Sequence, residues 1–217
     1  MRDKYLAGGP GTYTRPSGSD TWARTGGGDT PGAYIITKDS YGGFTATKNG
    51  ATIIQSTYIN DVIDGIRTHA TGTNPTIQFG NGTATLEIGR ASAKFNNVYG
   101  STWGLITLTG KITSSYEYDG TLYVEDSVSV TSSADIANNY TGNAIKHSST
   151  GTLTISGGTI TSSFSASIYN AYTGTVSITG GTVSKAGDGN FAIFKGGTGK
   201  VTIGAGATIV GNKYGVN

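Results

Sequence analysis

Three short phrases, Ala144-Ile145-Lys146-His147, Ser167-Ile168-Tyr169-Asn170 and Ala192-Ile193-Phe194-Lys195, recur at a nearly constant interval along the chain. Each is followed by a second matching phrase, TGTLTI at 150–155, TGTVSI at 173–178 and TGKVTI at 198–203. A glycine-rich corner and a third short run then complete the period: Gly157-Gly158-Thr159-Ile160, Gly180-Gly181-Thr182-Val183 and, with one residue inserted, Gly206-Ala207-Thr208-Ile209. Three strand-sized pieces in a period of this length are what a parallel β-solenoid requires, because every turn of the coil stacks on the one before it. Within the pieces, alternation sorts the side chains. Leu153, Ile155 and Ile160 align with Val176, Ile178 and Val183 and with Val201, Ile203 and Ile209, forming inward apolar columns, while Thr152, Thr154, Thr175, Ser177 and Thr202 face out. Ile145, Ile168 and Ile193 form a further inward column.

Composition supports an all-β fold. The 217 residues include 36 Gly, 35 Thr and 21 Ser, and only 13% are charged, which disfavours helix bundles. The regular return of Val and Ile separates the chain from a disordered linker. Weaker echoes carry the pattern upstream, through 104–115, 119–124 and 127–131, to Thr76-Ile77-Gln78-Phe79. The solenoid is expected over 76–217, roughly six turns at this period.

Upstream, Ile59, Val62, Ile63 and Ile66 recur at helical spacing after Ser56-Thr57, with Asp61 and Asp64 early, Arg67 and His69 late and Gly72 as a stop. This predicts a helix over 55–70, within an entry segment 51–75, laid over the open end of the core, because terminal solenoid turns need a cap. Residues 1–50 lack the period and read as an extended, β-prone arm that includes Tyr34, Ile35 and Ile36. The C-terminal turn shows no helix and no charged cap, so Val201, Ile203, Ile209 and Val210 are expected to form an open edge. Together with Tyr34, Ile35 and Ile36 of the arm, they define an expected assembly edge for head-to-tail association of copies of this chain.

The phrases at 167–183 resemble a repeat common in bacterial surface proteins, in which Ala-Ile-Tyr-Asn, Thr-Gly-Thr-Val-Thr-Ile and Ser-Gly-Gly-Thr-Val follow one another in each turn. The stretches 77–82, 103–112 and 134–138 resemble the segment that precedes such repeats, and the resemblance covers roughly 55–217. It implies a right-handed, pectate-lyase-like parallel β-helix in adhesin-like or otherwise structural extracellular proteins. It does not imply a ligand, since the scaffold serves many functions.

Candidate chemistry is sparse. Beyond Asn143 the one acid is Asp188, in a Gly-Asp-Gly turn, while Glu117, Asp119, Glu125 and Asp126 form an acidic cluster read as a solvated corner. His69 is placed at the helix end, and His147, aligned with Asn170 and Lys195, is read as part of a tolerant surface column. Gly199-Lys200 is followed by Val201, so the phosphate-loop pattern fails. No catalytic, cofactor or metal residues are therefore expected. Lys146, Tyr169 and Phe194 share a column, and with Tyr172 and Phe191 the aromatic members form a strip suited to the faces of sugars.

A formal charge of +2, with 15 scattered Lys and Arg, argues against nucleic acid. No apolar run is long enough to span a bilayer, no signal-peptide core follows Met1-Arg2-Asp3-Lys4-Tyr5, and Cys is absent. The expectation is a non-catalytic structural or adhesive solenoid, extracellular or at the cell surface, that associates with itself. The alternative is a carbohydrate-binding or polysaccharide-degrading β-helix of a bacterial surface or phage tail.

Overall fold

The computed structural model describes residues 13–14, 23–24, 32–186, 191–211 and 214–216. The chain divides into two compact units, Met1–Gly32 and Ala33–Asn217. In the first, β1 (Tyr13–Thr14) and β2 (Ala23–Arg24) pair antiparallel, with Tyr13 opposite Arg24.

The second unit is all-β with one helix, and its body is a β-solenoid of about five turns. It opens with an antiparallel meander of β3 (Tyr34–Lys38), β4 (Phe44–Lys48) and β5 (Ala51–Ser56), followed by α1 (Ile59–His69). The first turn is β6 (Thr76–Phe79), β7 (Thr85–Glu87) and β8 (Ala93–Phe95). The second is β9 (Ile106–Ser114) and β10 (Gly120–Asp126). The third is β11 (Val130–Ser132), β12 (Asp135–Asn138) and β13 (Asn143–Ser149). The fourth is β14 (Leu153–Ile155), β15 (Thr159–Ser162) and β16 (Ile168–Asn170). The fifth is β17 (Val176–Lys185) and β18 (Phe191–Lys195), and β19 (Val201–Val210) and β20 (Tyr214–Val216) stack on it.

Every pairing between turns is parallel, and the register matches the repeat. Val130, Leu153, Val176 and Val201 stack on one another, as do Ile136, Ile160, Val183 and Ile209. Long strands β9, β17 and β19 run across two faces that the shorter strands of the other turns divide between them. The third face is β8, β10, β13, β16, β18 and β20. The first turn of the coil is longer than the later ones. The chain runs further from Ile77 to its stacked partner Leu108 than from Leu153 to its stacked partner Val176, which are one repeat apart.

Inward residues are sealed: Leu153, Ile155, Ile160, Ile168, Val176, Ile178, Val183 and Ile193 are all fully buried. The glycine of the Thr-Gly-Thr phrase follows from this crowding. A Cβ on Gly174 would lie 2.3 Å from the carbonyl oxygens of Gly151 and Ser149 and 2.6 Å from Cε1 of His147. No side chain fits where the backbone of one turn approaches the last so closely.

The helix is shorter than the 55–70 expected, with Tyr58 as N-cap; Ser56 Oγ accepts from the Tyr58 N–H and donates to Asp61. Its apolar stripe, Ile59, Val62, Ile63 and Ile66, is buried, and the helix packs on β4, β5 and β8. Arg67 is buried too, donating to the carbonyl and side-chain oxygens of Asn96 and pairing with Asp64 at 2.8 Å. No helix among the described residues is long and apolar enough to cross a membrane.

The stretch 33–50 is not an arm. β3 pairs parallel with β6, placing Tyr34 beside Ile77 and Ile36 beside Phe79, and pairs antiparallel with β4 on its other edge. Tyr34 and Ile36 are buried in the core and Ile35 faces outward between two paired neighbours, so these three residues offer no free assembly edge. Their alternating burial is what a strand with one face on a core requires. The remainder of the expected arm, apart from β1 and β2, lies outside the described residues.

Candidate functional site

On the third face, register aligns five outward side chains in one column: Lys94 on β8, Tyr123 on β10, Lys146 on β13, Tyr169 on β16 and Phe194 on β18. At about 4.8 Å per stacked strand the column is roughly 20 Å long. Its two halves differ in chemistry.

The C-terminal half is an aromatic shelf. Tyr169 and Phe194 have ring centroids 5.4 Å apart with planes tilted 35°, and Phe191 lies 5.9 Å from Phe194 at 32°. All three residues are half-buried, leaving part of the shelf open to solvent. Tyr172, expected in the same strip, lies exposed in the turn beyond β16, and no ring packs against it among the described residues.

In the N-terminal half, Tyr123 lies between two ammonium groups, with Lys146 Nζ 4.7 Å and Lys94 Nζ 5.3 Å from its ring centroid. Each lysine also reaches a carboxylate: Lys94 to Glu125 at 2.6 Å and Lys146 to Asp119 at 2.7 Å. The hydrogen bond from Lys94 to Glu125 holds that ammonium above its usual pKa, against a smaller penalty from burial. Burial opposes the Lys146 charge, but the hydrogen bond and charge of Asp119, together with Tyr123 and Tyr169, raise the pKa overall. Burial, reinforced by a hydrogen bond with Glu125, pushes the Tyr123 hydroxyl up as well. Asp119 and Glu125, read from sequence as parts of a solvated corner, are thus ion-pair partners that fix the lysines over Tyr123.

The repeat phrases do not single out Tyr123, because its strand, Thr121-Leu122-Tyr123-Val124, diverges from them. The signal that finds it is the spacing: Tyr123 precedes Lys146 by the same interval by which Lys146 precedes Tyr169.

Beside Lys94 and Tyr123 the column opens onto a cavity of about 230 Å³, lined by Asn60, Arg90, Ser92, Tyr116 and Asp119 among others. Arg90 is exposed and has no ion-pair partner among the described residues.

His147 is not on the surface. It and Asn170 are fully buried, pointing inward at the position two beyond Ile145 and Ile168, as period-two alternation demands. Nδ1 of His147 lies 3.0 Å from Oδ1 of Asn170, whose amide nitrogen donates to the Gly174 carbonyl, while Nε2 has no hydrogen-bond partner. Burial lowers the His147 pKa below 6.5, partly opposed by the Asn170 bond. The unfolded chain, with its histidine near the ordinary value, therefore takes up a proton before the folded chain does. The stability contributed by neutral His147 is complete above that value and is lost as pH falls from it through the folded-state pKa. His147→Asn removes this loss while keeping a hydrogen-bonding amide beside Asn170. The expected result is that the wild-type urea midpoint falls further between pH 7.5 and 5 than the midpoint of the variant, and equal falls would refute the assignment. His69, the other histidine, ends the helix with Nδ1 2.6 Å from the Tyr34 hydroxyl.

No group of three or more His, Asp or Glu side chains able to hold a metal occurs among the described residues. Asp188 lies outside them. At the C-terminal end, β19 pairs with β17 on one edge and with no strand on the other among the described residues. Val201 and Ile209 are half-buried, whereas Ile203 is 47% and Val210 49% exposed. No family model matches the chain, and neither a curated protein nor a solved structure matches it.

Proposed function

We propose that this chain is a non-catalytic, adhesive β-solenoid that contacts carbohydrate along its third face. The observation that carries the reading is the in-register column from Lys94 to Phe194, in which half-buried aromatic rings lie beside fixed ammonium and carboxylate groups. Sugar rings offer apolar C–H faces and a rim of hydroxyls, and partly open aromatic rings with adjacent charged donors and acceptors suit both. The strand spacing is close to the length of one pyranose in an extended chain, which suits a linear glycan lying along the coil axis.

A non-catalytic role fits the carboxylates. Glycoside hydrolysis uses two carboxyl groups flanking the scissile bond, and here Asp119 and Glu125 are each tied to a lysine. The resemblance to bacterial surface repeats supports placing the protein outside the cell, in a right-handed coil of the adhesin-like type. The test is a glycan array probed with the full chain, with bound glycans recovered and assayed for new reducing ends. Selective capture without cleavage is expected; no capture, or cleavage, would refute the reading.

A second reading, head-to-tail association, is favoured by the exposed apolar edge of β19. Two reversals through β4 leave β5 running in the same direction as β3, β6 and the strands stacked beyond them, and β5 is the opposite edge of the same sheet. A second copy can therefore present β5 parallel to β19, a contact that does not close and extends into a fibre. Light scattering over a concentration series should show growth that Ile203→Lys abolishes. A monodisperse monomer of 22.2 kDa at every concentration would exclude it.

A further inference from the structure

We propose that the cavity at the N-terminal end of the column binds the carboxylate-bearing ring of an acidic saccharide, with Arg90 as the receptor for the carboxylate. The proposal rests on the glycan-face reading and specifies its ligand. It stands on an arginine with no ion-pair partner among the described residues and on the groups that line the cavity.

Lys94, Lys146 and Arg90 gather here with Asp119, Glu125 and Glu117, the last lying between the lining residues Tyr116 and Asp119 in the chain. Lys94 is matched by Glu125 and Lys146 by Asp119, whereas the Arg90 guanidinium, on the cavity rim, has no ion-pair partner among the described residues. A guanidinium presents a planar fork of N–H donors that fits a carboxylate with two parallel hydrogen bonds, a geometry a lysine ammonium cannot reproduce. Arg90 follows Gly89, whose φ of +63° turns the chain between β7 and β8 and brings the arginine to the rim beside Tyr123.

The other lining groups suit the rest of a sugar ring. Asn60 Oδ1 is occupied by the backbone N–H of Lys94, so its amide nitrogen keeps two donors for hydroxyl oxygens. Asp119 gives one oxygen to Lys146 and retains acceptor capacity for a hydroxyl proton. Tyr116 and Tyr123 supply aromatic surface on the cavity wall. About 230 Å³ is below the several hundred Å³ of pockets that enclose larger ligands. The cavity therefore takes one ring, and the glycan continues along the column toward Tyr169.

The experiment titrates the full chain with an unsulfated hyaluronan hexasaccharide, with its carboxyl-methyl ester and with a neutral cello-hexaose, using calorimetry. Wild type is expected to bind the acid about tenfold or more tightly than the ester. Arg90→Gln is expected to bring the acid down to the ester's affinity while leaving the ester unchanged, and Arg90→Lys to restore only part of the preference. Equal binding of acid and ester by wild type, or equal weakening of both by Arg90→Gln, would overturn the proposal. Neutral-glycan binding that persists without any preference for the acid would reject the cavity assignment and leave the glycan face standing. No binding of any glycan here or on the array would reject both.

Discussion

Leu153→Ala lowers the stability of the coil by about 2–5 kcal/mol, the range for emptying a large aliphatic side chain from a packed core. Leu153 is fully buried in the fourth turn, in register with Val130 before it and Val176 after it. The truncation opens a void shared by three turns, and a stack of short strands on both sides resists closing it, because each is held by parallel pairing to its neighbours. In urea, with a slope of roughly 2–3 kcal/mol per molar for a chain of this size, the midpoint is expected to fall by about 1–2 M. Thr154→Ala, one position on and pointing outward, is expected to change stability by less than about 0.5 kcal/mol. Similar costs at the two positions would contradict the inward and outward assignment of β14.

The double change Tyr169→Ala and Phe194→Ala weakens binding of an array-positive glycan by about 10- to 100-fold, or roughly 1.4–2.8 kcal/mol. The two rings are in register on adjacent strands and 5.4 Å apart, so one alanine alone leaves a neighbouring ring to support the ligand. Removing both leaves Phe191 as the one ring of the shelf. Since the rings are on the outside of the sheet and half-buried, the loss of stability is expected to be much smaller than for Leu153. Tyr172→Ala, in the turn beyond the strip, is expected to leave affinity unchanged. Comparable losses from Tyr172→Ala and from the double variant would place the glycan elsewhere.

The coil is legible because its repeat is written in the side chains that pack. Ile145, Ile168 and Ile193 align by eye and stack in the structure, and the Thr-Gly-Thr glycine marks the close approach at Gly174. The meander is not legible as part of the coil. Tyr34-Ile35-Ile36 has strand character, but nothing local shows that β3 will pair with β6 across the intervening meander and helix, since that partner is chosen by the face the helix and coil leave open. His147 is misread when its polarity outweighs its position. Alternation from Ile145 assigns it to the interior, where Asn170 and the absent Cβ of Gly174 make room for it. In the candidate site, Tyr169, Phe191 and Phe194 are readable from the aligned repeats. Tyr123 is readable from its spacing to Lys146, whereas Arg90 and the cavity require the longer, divergent first turn to be threaded in register.

The most direct test of the account is residue-resolved. Backbone amide shifts of the isotopically labelled full chain are followed by NMR while an array-positive glycan is titrated to saturation. Shifts are expected to concentrate at Lys94, Tyr123, Lys146, Tyr169 and Phe194, with Thr131, Thr154 and Ser177 on the face formed by β11, β14 and the start of β17 unmoved. Shifts centred on the face of β11 and β14, or none on the third face at saturation, would contradict the assignment of the third face as the carbohydrate contact.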